Sequence, residues 1–178
     1  MRTKTLSVVC VSSLSYEKVS PRIADTAKKM WAIYVALTVI ETVLLKIFGM
    51  DIFDSICHSF STIATGGYST KNLSIAYWQS PAIEYTITFF MLIAGINFAL
   101  LYYVIHRKAT RLWNDEEPRW YLCAVAVVTI ILTIGLFIQE GDYSFAGGEQ
   151  SFRHAFFVTV ATMTSSGFGV VDYTQWFP

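Results

Sequence analysis

The sequence predicts an all-α membrane protein built from repeated units of helix, re-entrant loop and helix. Of its 178 residues, 54% are hydrophobic and 16% are aromatic, and the mean hydropathy of +0.47 is high for a water-soluble chain. The apolar residues form runs of about the 20 residues that a helix needs to cross a bilayer. A short polar segment containing glycine also occurs twice, 100 positions apart, each time after an apolar stretch too short to span.

Residues 1–29 are predicted to form a cytoplasmic segment before the first membrane helix. They contain no sustained apolar stretch and carry six basic residues: Arg2, Lys4, Lys18, Arg22, Lys28 and Lys29. A signal peptide is a weaker interpretation, because serines interrupt the apolar part and no small-residue cleavage site follows it.

The first spanning helix is predicted over residues 30–50. Glu41 lies inside it, and a charge at the centre of a membrane helix costs about 2.5–3.5 kcal/mol on insertion scales. We therefore expect Glu41 to face other helices or a wet cavity rather than lipid. It could act as a cation ligand, but a packed or protonated interior carboxyl is the more ordinary role.

A short re-entrant helix follows, predicted over residues 52–64 with Asp51 as its N-cap. About 13 residues at 1.5 Å each reach roughly 20 Å, which is part of the way into a membrane. Residues 64–68 then form an irregular segment, and at such depth irregular backbone is tolerated only inside protein or along a water-filled path. Gly66 and Gly67 allow the backbone to turn successive carbonyls toward one axis, where they can replace the hydration shell of a cation. Taken alone, the segment is also an ordinary turn signal.

The same order of elements then recurs. A spanning helix at 82–106 completes the first unit, which covers residues 30–106, and a cytoplasmic loop at 107–119 leads to a second unit at 120–178. In that unit we predict a helix at 120–138, a loop containing Gly147 and Gly148, a re-entrant helix at 152–163 capped by Ser151, and a polar segment at 164–168. A closing helix equivalent to 82–106 does not follow, so we expect a fragment.

The distribution of charge predicts the orientation. Ten of the thirteen basic residues precede the first helix or lie in the 107–119 loop, and the positive-inside rule then places both polar segments on the outer face. Acidic residues on that face would either concentrate cations near the entrance or simply solubilise the loops, and the sequence favours neither.

Three stretches together resemble a known family. They read D-I-F-D-S-I-C-H-S-F-S-T-I-A-T-G-G-Y-S-T, then F-F-M-L-I-A-G-I-N-F-A-L, and later T-M-T-S-S-G-F-G-V-V-D-Y-T-Q-W. They resemble the second and third repeats of the Trk/Ktr/HKT potassium-transporter superfamily, and within it the bacterial Trk system, over about residues 20–178. The resemblance implies four repeats around one pore, each with a filter glycine. It matches that glycine with Gly67 and Gly167 and makes neighbouring carbonyls the ion ligands. The implied filter residues are Ala64, Thr65, Gly66, Gly67, Thr164, Ser165, Ser166 and Gly167.

The resemblance also implies a function: uptake of K⁺ across a bacterial inner membrane by a multi-pass protein embedded in lipid, with a cytoplasmic N-terminus. Members commonly form homodimers and bind a cytosolic nucleotide-binding regulatory subunit. No cofactor and no nucleic acid partner is expected, since K⁺ is the transported ion. A sodium-permeable member of the superfamily and a non-conducting membrane interaction fragment are the alternatives.

An enzyme is not expected. Paired aspartates inside spanning helices are absent, and no histidine is plainly placed to act as a base for Ser165 or Ser166. Asp54 and His58, four residues apart, could bind a metal, but two ligands are too few, and a pair on the surface of the re-entrant helix is the simpler interpretation. The three cysteines are widely spaced and indicate neither a disulfide framework nor a zinc site.

Overall fold

In the computed structural model, residues 16–96, 116–140 and 145–170 are described, and all their regular elements are helical. The elements are α1 (Tyr16–Ile47), α2 (Ile52–Ile63), a 3₁₀ turn (Ser74–Tyr77), α3 (Pro81–Ala94), α4 (Glu116–Glu140) and α5 (Phe145–Met163). The prediction of one continuous helix at 82–106 is wrong in the described part, because α3 ends at Ala94 and residues 95–96 form a turn and a bend. Residues 97–106, and most of the loop predicted at 107–119, lie outside the described residues.

Two of the helices have the length and composition of membrane spans. These stretches are Ala27–Ile47, with 21 residues, and Glu117–Ile138, with 22 residues. At 1.5 Å per residue, each is about 30 Å long, which matches the hydrocarbon core of a bilayer. Only 22% and 17% of these stretches, respectively, is buried within the described part of the chain. A core helix of a soluble protein would be mostly buried, so the exposed apolar surface is the surface that lipid or further protein covers.

Two predicted helix starts were too late. Helix α1 begins at Tyr16, inside the segment predicted as 1–29, and α4 begins at Glu116, inside the predicted loop. Hydropathy locates the part of a helix that lies in lipid, whereas a helix can continue into water beyond it. The start of α4 has local signals that favour a first helical turn: Glu116 and Glu117 complement the helix dipole, and Pro118 needs no hydrogen-bond donor there.

The start of α5 needs the largest correction. It begins at Phe145 rather than at 152, so Gly147 and Gly148 lie within the helix and Ser151 is not its cap. The Ser151 hydroxyl instead donates to the Gly147 carbonyl at 2.8 Å, and Ser151 is fully buried. Helix α5 packs along α4, and a Cβ at Gly148 would lie 3.6 Å from Phe137 Cε2. This packing offsets the cost of about 1 kcal/mol that each glycine brings to a helix.

The hydrophobic core lies where the two units meet. Helix α3 of the first unit packs on α5 of the second, and α1 packs on α2. One buried cluster joins both units; its members are Leu45, Met50, Ile75, Ile83, Ile87, Met91, Val125, Phe157, Val160, Ala161, Phe168 and Val170. The ends of the two re-entrant helices are therefore held close together by a shared core.

Glu41 lies on the inward face of α1. Its side chain is fully buried, in a stripe with Thr38 and Leu45 at helical spacing. The expectation that Glu41 avoids lipid is therefore confirmed within this chain.

Candidate ion-filter loops

The re-entrant helix α2 ends in a Schellman motif. The Gly66 amide donates to the Ser61 carbonyl at 2.7 Å, and the Thr65 amide donates to the Thr62 carbonyl at 3.0 Å. These two bonds satisfy carbonyls that the end of a helix otherwise leaves without partners. At the other end of α2, Asp51 Oδ2 accepts from the Phe53 amide at 3.4 Å, which is the predicted N-cap.

Helix α5 ends in the same way, 100 positions later. The Ser166 amide donates to the Ala161 carbonyl at 2.9 Å, and the Ser165 amide donates to the Thr162 carbonyl at 3.1 Å. The correspondence found in the sequence is thus also a correspondence of backbone hydrogen bonds. Residues 64–68 are called the first loop below, and residues 164–168 the second loop.

Both loops share an unusual sequence of backbone angles. In the first loop, φ is +51° at Thr65 and +68° at Gly67; in the second, it is +58° at Ser165 and +74° at Gly167. Left-handed φ suits glycine but costs an ordinary residue about 1–2 kcal/mol. Thr65 and Ser165 carry that cost at matching positions, so the surrounding structure must hold both loops in this conformation. The sequence indicated an unusual backbone angle at Gly67 but gave no signal for left-handed φ at Thr65 and Ser165.

The two loops touch each other through their backbones. A Cβ built on Gly67 would overlap the carbonyl oxygen of Ser166 and lie 2.8 Å from its carbonyl carbon. Only glycine fits at Gly67, because backbone atoms cannot move aside as a flexible side chain can. At the equivalent Gly167, a Cβ would meet no atom within 4 Å among the described residues.

The eight predicted filter residues differ in exposure. Thr164 and Ser166 are buried, Thr65 and Gly67 are half-buried, and the rest are exposed: Ala64, Gly66, Ser165 and Gly167. The hydroxyls of Thr164 and Ser166 lie 2.9 Å apart, and Thr164 Oγ1 also donates to the Val160 carbonyl at 2.8 Å. Since Thr164 uses its proton on Val160, the Ser166 hydroxyl is the donor between the two.

The segments that leave the loops are also joined. The Ile75 amide donates to the Gly169 carbonyl at 3.1 Å, and the Gly169 amide donates to Ser74 Oγ at 3.2 Å. These bonds connect the 3₁₀ turn of the first unit to the residue just after the second loop.

Asp54 fastens the segment after the first loop to the start of α2. Its carboxylate accepts from Thr70 Oγ1 at 2.7 Å and lies 3.4 Å from Lys71 Nζ. Burial by itself raises the pKa of this carboxyl. Hydrogen bonds from Thr70 and Lys71, together with the charge of Lys71, outweigh it, so the pKa of Asp54 lies below its ordinary value.

Asp54 and His58 are not a surface pair, and the prediction that they are is wrong. Asp54 is 7% exposed and His58 is fully buried. The histidine ring faces Ser69 and the second loop, because α2 turns this side toward α3 and the segment that follows the first loop. Among the residues that the structure describes, no cluster of three or more metal-ligating side chains occurs.

An ion-pair cluster links the two units. Arg153 of α5 reaches Glu84 of α3, with 2.9 Å between Nε and Oε2. Arg153 Nη1 lies 3.4 Å from Glu149 Oε2, and Tyr85 donates to Glu149 Oε1 at 2.9 Å. The sequence carried no signal for this cluster, since Glu84 and Arg153 are distant along the chain.

Comparison with known proteins assigns the chain to a family. The family described as TrkH, cation transport protein, matches residues 11–178. The chain belongs to the TrkH cation transport protein family. The resemblance inferred from the motifs is thereby confirmed, and so is the all-α membrane class.

Relatives of this TrkH-family chain carry potassium uptake in their names. It is 38% identical over 164 residues to the Trk system potassium uptake protein TrkH of Halomonas elongata, covering 92% of this chain and 33% of the relative. It is 37% identical over 161 residues to TrkG of Escherichia coli strain K12, covering 90% of this chain and 32% of the relative. The crystal structure of the potassium transporter TrkH from Vibrio parahaemolyticus superposes with a TM-score of 0.81 at 34% identity, covering 88% of this chain and 34% of that one. The chain thus spans about a third of the length of these relatives.

Proposed function

We propose that this chain supplies two of the loops that form a potassium-selective filter in a bacterial membrane. The observation that carries the proposal is the backbone contact between Gly67 and Ser166, made by two loops of matching left-handed geometry. Two loops that meet in this way can contribute ligands to one ion path. In this proposal the ligands are backbone carbonyls of residues 64–67 and 164–167.

The chemistry at the loops favours a cation. Backbone carbonyl oxygens are hard ligands that replace the hydration shell of K⁺. Each loop follows the carboxyl end of a helix, α2 or α5, where the helix dipole contributes a partial negative charge. Lys71 is a cationic side chain near the first loop, and it forms an ion pair with Asp54. It therefore repels an entering cation less than an unpaired ammonium group would.

Several features of the whole protein follow from the family and stay proposals for this chain. They are residence in a bacterial inner membrane with the N-terminus in the cytoplasm, assembly as a homodimer, and regulation by a cytosolic nucleotide-binding subunit. We propose a transporter of K⁺ that is not an enzyme and requires no cofactor. The relatives that carry potassium uptake in their names support K⁺ over Na⁺ as the transported ion.

The filter proposal is tested by comparing Gly67→Ala with Gly66→Ala. At Gly67 a Cβ meets the Ser166 backbone and φ is +68°, whereas at Gly66 it lies 3.3 Å from Cδ2 of Tyr68, an exposed side chain that can move. Left-handed strain of about 1–2 kcal/mol corresponds to about a five- to thirtyfold effect, and the overlap with the Ser166 backbone adds to it. We expect Gly67→Ala to lower rubidium uptake tenfold or more. Gly66→Ala should stay within about twofold, because φ at Gly66 is not left-handed and its nearest neighbour is a side chain that can move.

The assay uses the reading frame that encodes this chain, expressed in a bacterial strain that lacks potassium uptake. Membrane abundance is measured for each variant, and competition by Na⁺ is measured beside competition by K⁺. Unchanged rubidium uptake by Gly67→Ala at equal abundance contradicts the filter. Absence of rubidium uptake by the unmodified protein favours a non-conducting interaction role. Equal competition by Na⁺ and K⁺ in the unmodified protein supports the sodium-permeable alternative instead.

A further inference from the structure

We propose that His58 is a positioning residue that braces the two loops against each other and thereby sets the preference between K⁺ and Na⁺. The inference rests on the proposed filter function. It assigns a role to a side chain that touches no ion and lies on the helix before the first loop.

The hydrogen bonds of His58 fix its ring in one orientation and one tautomer. Nδ1 lies 2.7 Å from the Asp54 carbonyl oxygen, which can only accept, so Nδ1 carries the proton of the neutral ring. Nε2 is then an acceptor, and the Ser69 hydroxyl, 2.9 Å away, donates to it. Ser69 Oγ in turn accepts from the Lys71 amide at 3.1 Å. These three hydrogen bonds form a continuous series in which every donor has an acceptor. The series runs from the segment after the first loop, through His58, to α2.

The faces of the same ring contact the second loop and the 3₁₀ turn region. Phe168, which directly follows Gly167, stacks on His58 with 6.0 Å between ring centroids and 21° between planes. Trp78 meets the ring edge to face at 5.0 Å. Aromatic pairs at these separations attract each other beyond simple burial. One buried ring thus contacts Ser69, two residues after Gly67, and Phe168, one residue after Gly167.

The residues that brace the loops on α2 differ from those at the matched positions in the second unit. The residue 100 positions after His58 is Val158, which has no side-chain hydrogen-bonding group. Tyr68, the counterpart of Phe168, is 83% exposed. At this pair of matched positions, α2 therefore carries a polar ring and α5 carries an aliphatic side chain.

His58 can influence selectivity in the account that assigns K⁺ selectivity to the size of the cavity between the carbonyls. The size of that cavity changes when one loop moves relative to the other. Without the Ser69 bond, the first loop loses its attachment to the ring that also holds Phe168. The smaller Na⁺ then gains relative to K⁺, because the ligands can close around it.

The test compares His58→Asn, His58→Gln and Ser69→Ala, measuring the ratio of K⁺ to Na⁺ competition against rubidium uptake. Asparagine can keep the donor toward Asp54 but does not reach Ser69, whereas glutamine can present an acceptor near the position of Nε2. We expect His58→Asn and Ser69→Ala each to lower the K⁺ to Na⁺ ratio by about three- to tenfold, the effect of one hydrogen bond. His58→Gln keeps an acceptor for Ser69 but loses the ring that stacks on Phe168, so it should lower the ratio less than His58→Asn does.

A double variant and a control separate positioning from simple stability. His58→Asn combined with Ser69→Ala should be no worse than His58→Asn alone, because the bond that Ser69→Ala removes is already absent in the His58→Asn variant. Val158→Ala, at the equivalent place on α5, should leave the ratio unchanged even where it lowers abundance. Ser69→Ala removes one hydroxyl from a half-buried loop residue, so it keeps the test decisive if the histidine variants fail to fold.

Two outcomes overturn the inference. One is an unchanged K⁺ to Na⁺ ratio in Ser69→Ala and in every folded His58 variant, which leaves His58 as a core residue only. The other is an additive double variant. The proposed function fails separately, when Gly67→Ala leaves rubidium uptake unchanged. If Gly67→Ala abolishes rubidium uptake while the variants at positions 58 and 69 keep normal selectivity, the role of His58 is rejected and the filter proposal stands.

Discussion

The ion pair between Arg153 and Glu84 should be worth far more than its neighbour between Arg153 and Glu149. The side chains of Arg153 and Glu84 are 11% and 5% exposed, whereas that of Glu149 is 42% exposed. Removing one partner of a buried pair leaves a buried charge and costs about 3–5 kcal/mol, and an exposed pair contributes about 0.2–1 kcal/mol. Since Arg153→Met leaves Glu84 buried, we expect it to lower the free energy of unfolding by about 3 kcal/mol, the low end of the buried range.

The comparison variants isolate the buried pair. Glu149→Gln should cost about 1 kcal/mol or less, since glutamine can still accept from Tyr85. Combining Arg153→Met with Glu84→Gln removes both charges and should recover about 2 kcal/mol of the loss. Denaturant unfolding of the purified protein in detergent measures each variant. The reasoning is refuted if Glu149→Gln destabilises as much as Arg153→Met, or if the double variant is no more stable than Arg153→Met.

Two further predictions concern α2. Asp51→Ala should lower the free energy of unfolding by about 0.5–1 kcal/mol, because a cap bond of 3.4 Å is long. Asp51→Asn keeps a capping oxygen and should cost less. Denaturant unfolding measures both variants, and the opposite order of stability contradicts the cap. The lowered pKa of Asp54 means that its contribution is fully present above the ordinary aspartate pKa, near 4, and is lost as pH falls through the lowered value. The part of the unfolding temperature that depends on Asp54, measured as the difference between the unmodified protein and Asp54→Asn, should therefore stay level from neutral pH to about pH 5 and shrink below about pH 4. Asp54→Asn should flatten part of the fall in unfolding temperature at acid pH, and an unchanged pH profile in this variant would exclude Asp54 as its source.

The sequence predicted the type of each described secondary-structure element well, but it predicted the first and last residues of the helices less well. The apolar runs located both spanning stretches, and the short run before Ala64 located α2 almost to the residue, because Asp51 supplies a local cap signal. The start of α5 was misplaced because Gly147 and Gly148 are read locally as a loop, whereas packing along α4 keeps them helical. Local propensity is weak beside such packing.

The candidate loops were predicted in composition but not in arrangement. Small hydroxyl residues and glycines at matching positions pointed to both loops, and the matching Schellman bonds and φ angles follow the same offset of 100 residues. The left-handed φ at Thr65 and Ser165 had no signal, because neither residue type favours it. The side of α2 that carries His58 was also misjudged, since four-residue spacing identifies a face without saying what covers it.

By itself, the sequence determined the membrane class, the helical architecture and the repetition of the loops. It could do so because a bilayer offers no hydrogen bonds to the backbone, which leaves helices as the simple solution for long apolar runs. Only the tertiary structure decided that Gly67 lies against the backbone of Ser166, that His58 faces Phe168, and that Arg153 reaches Glu84. These contacts join residues some 70 to 110 positions apart. They depend on how α3 packs on α5, a relation between two surfaces that no periodicity within either helix encodes.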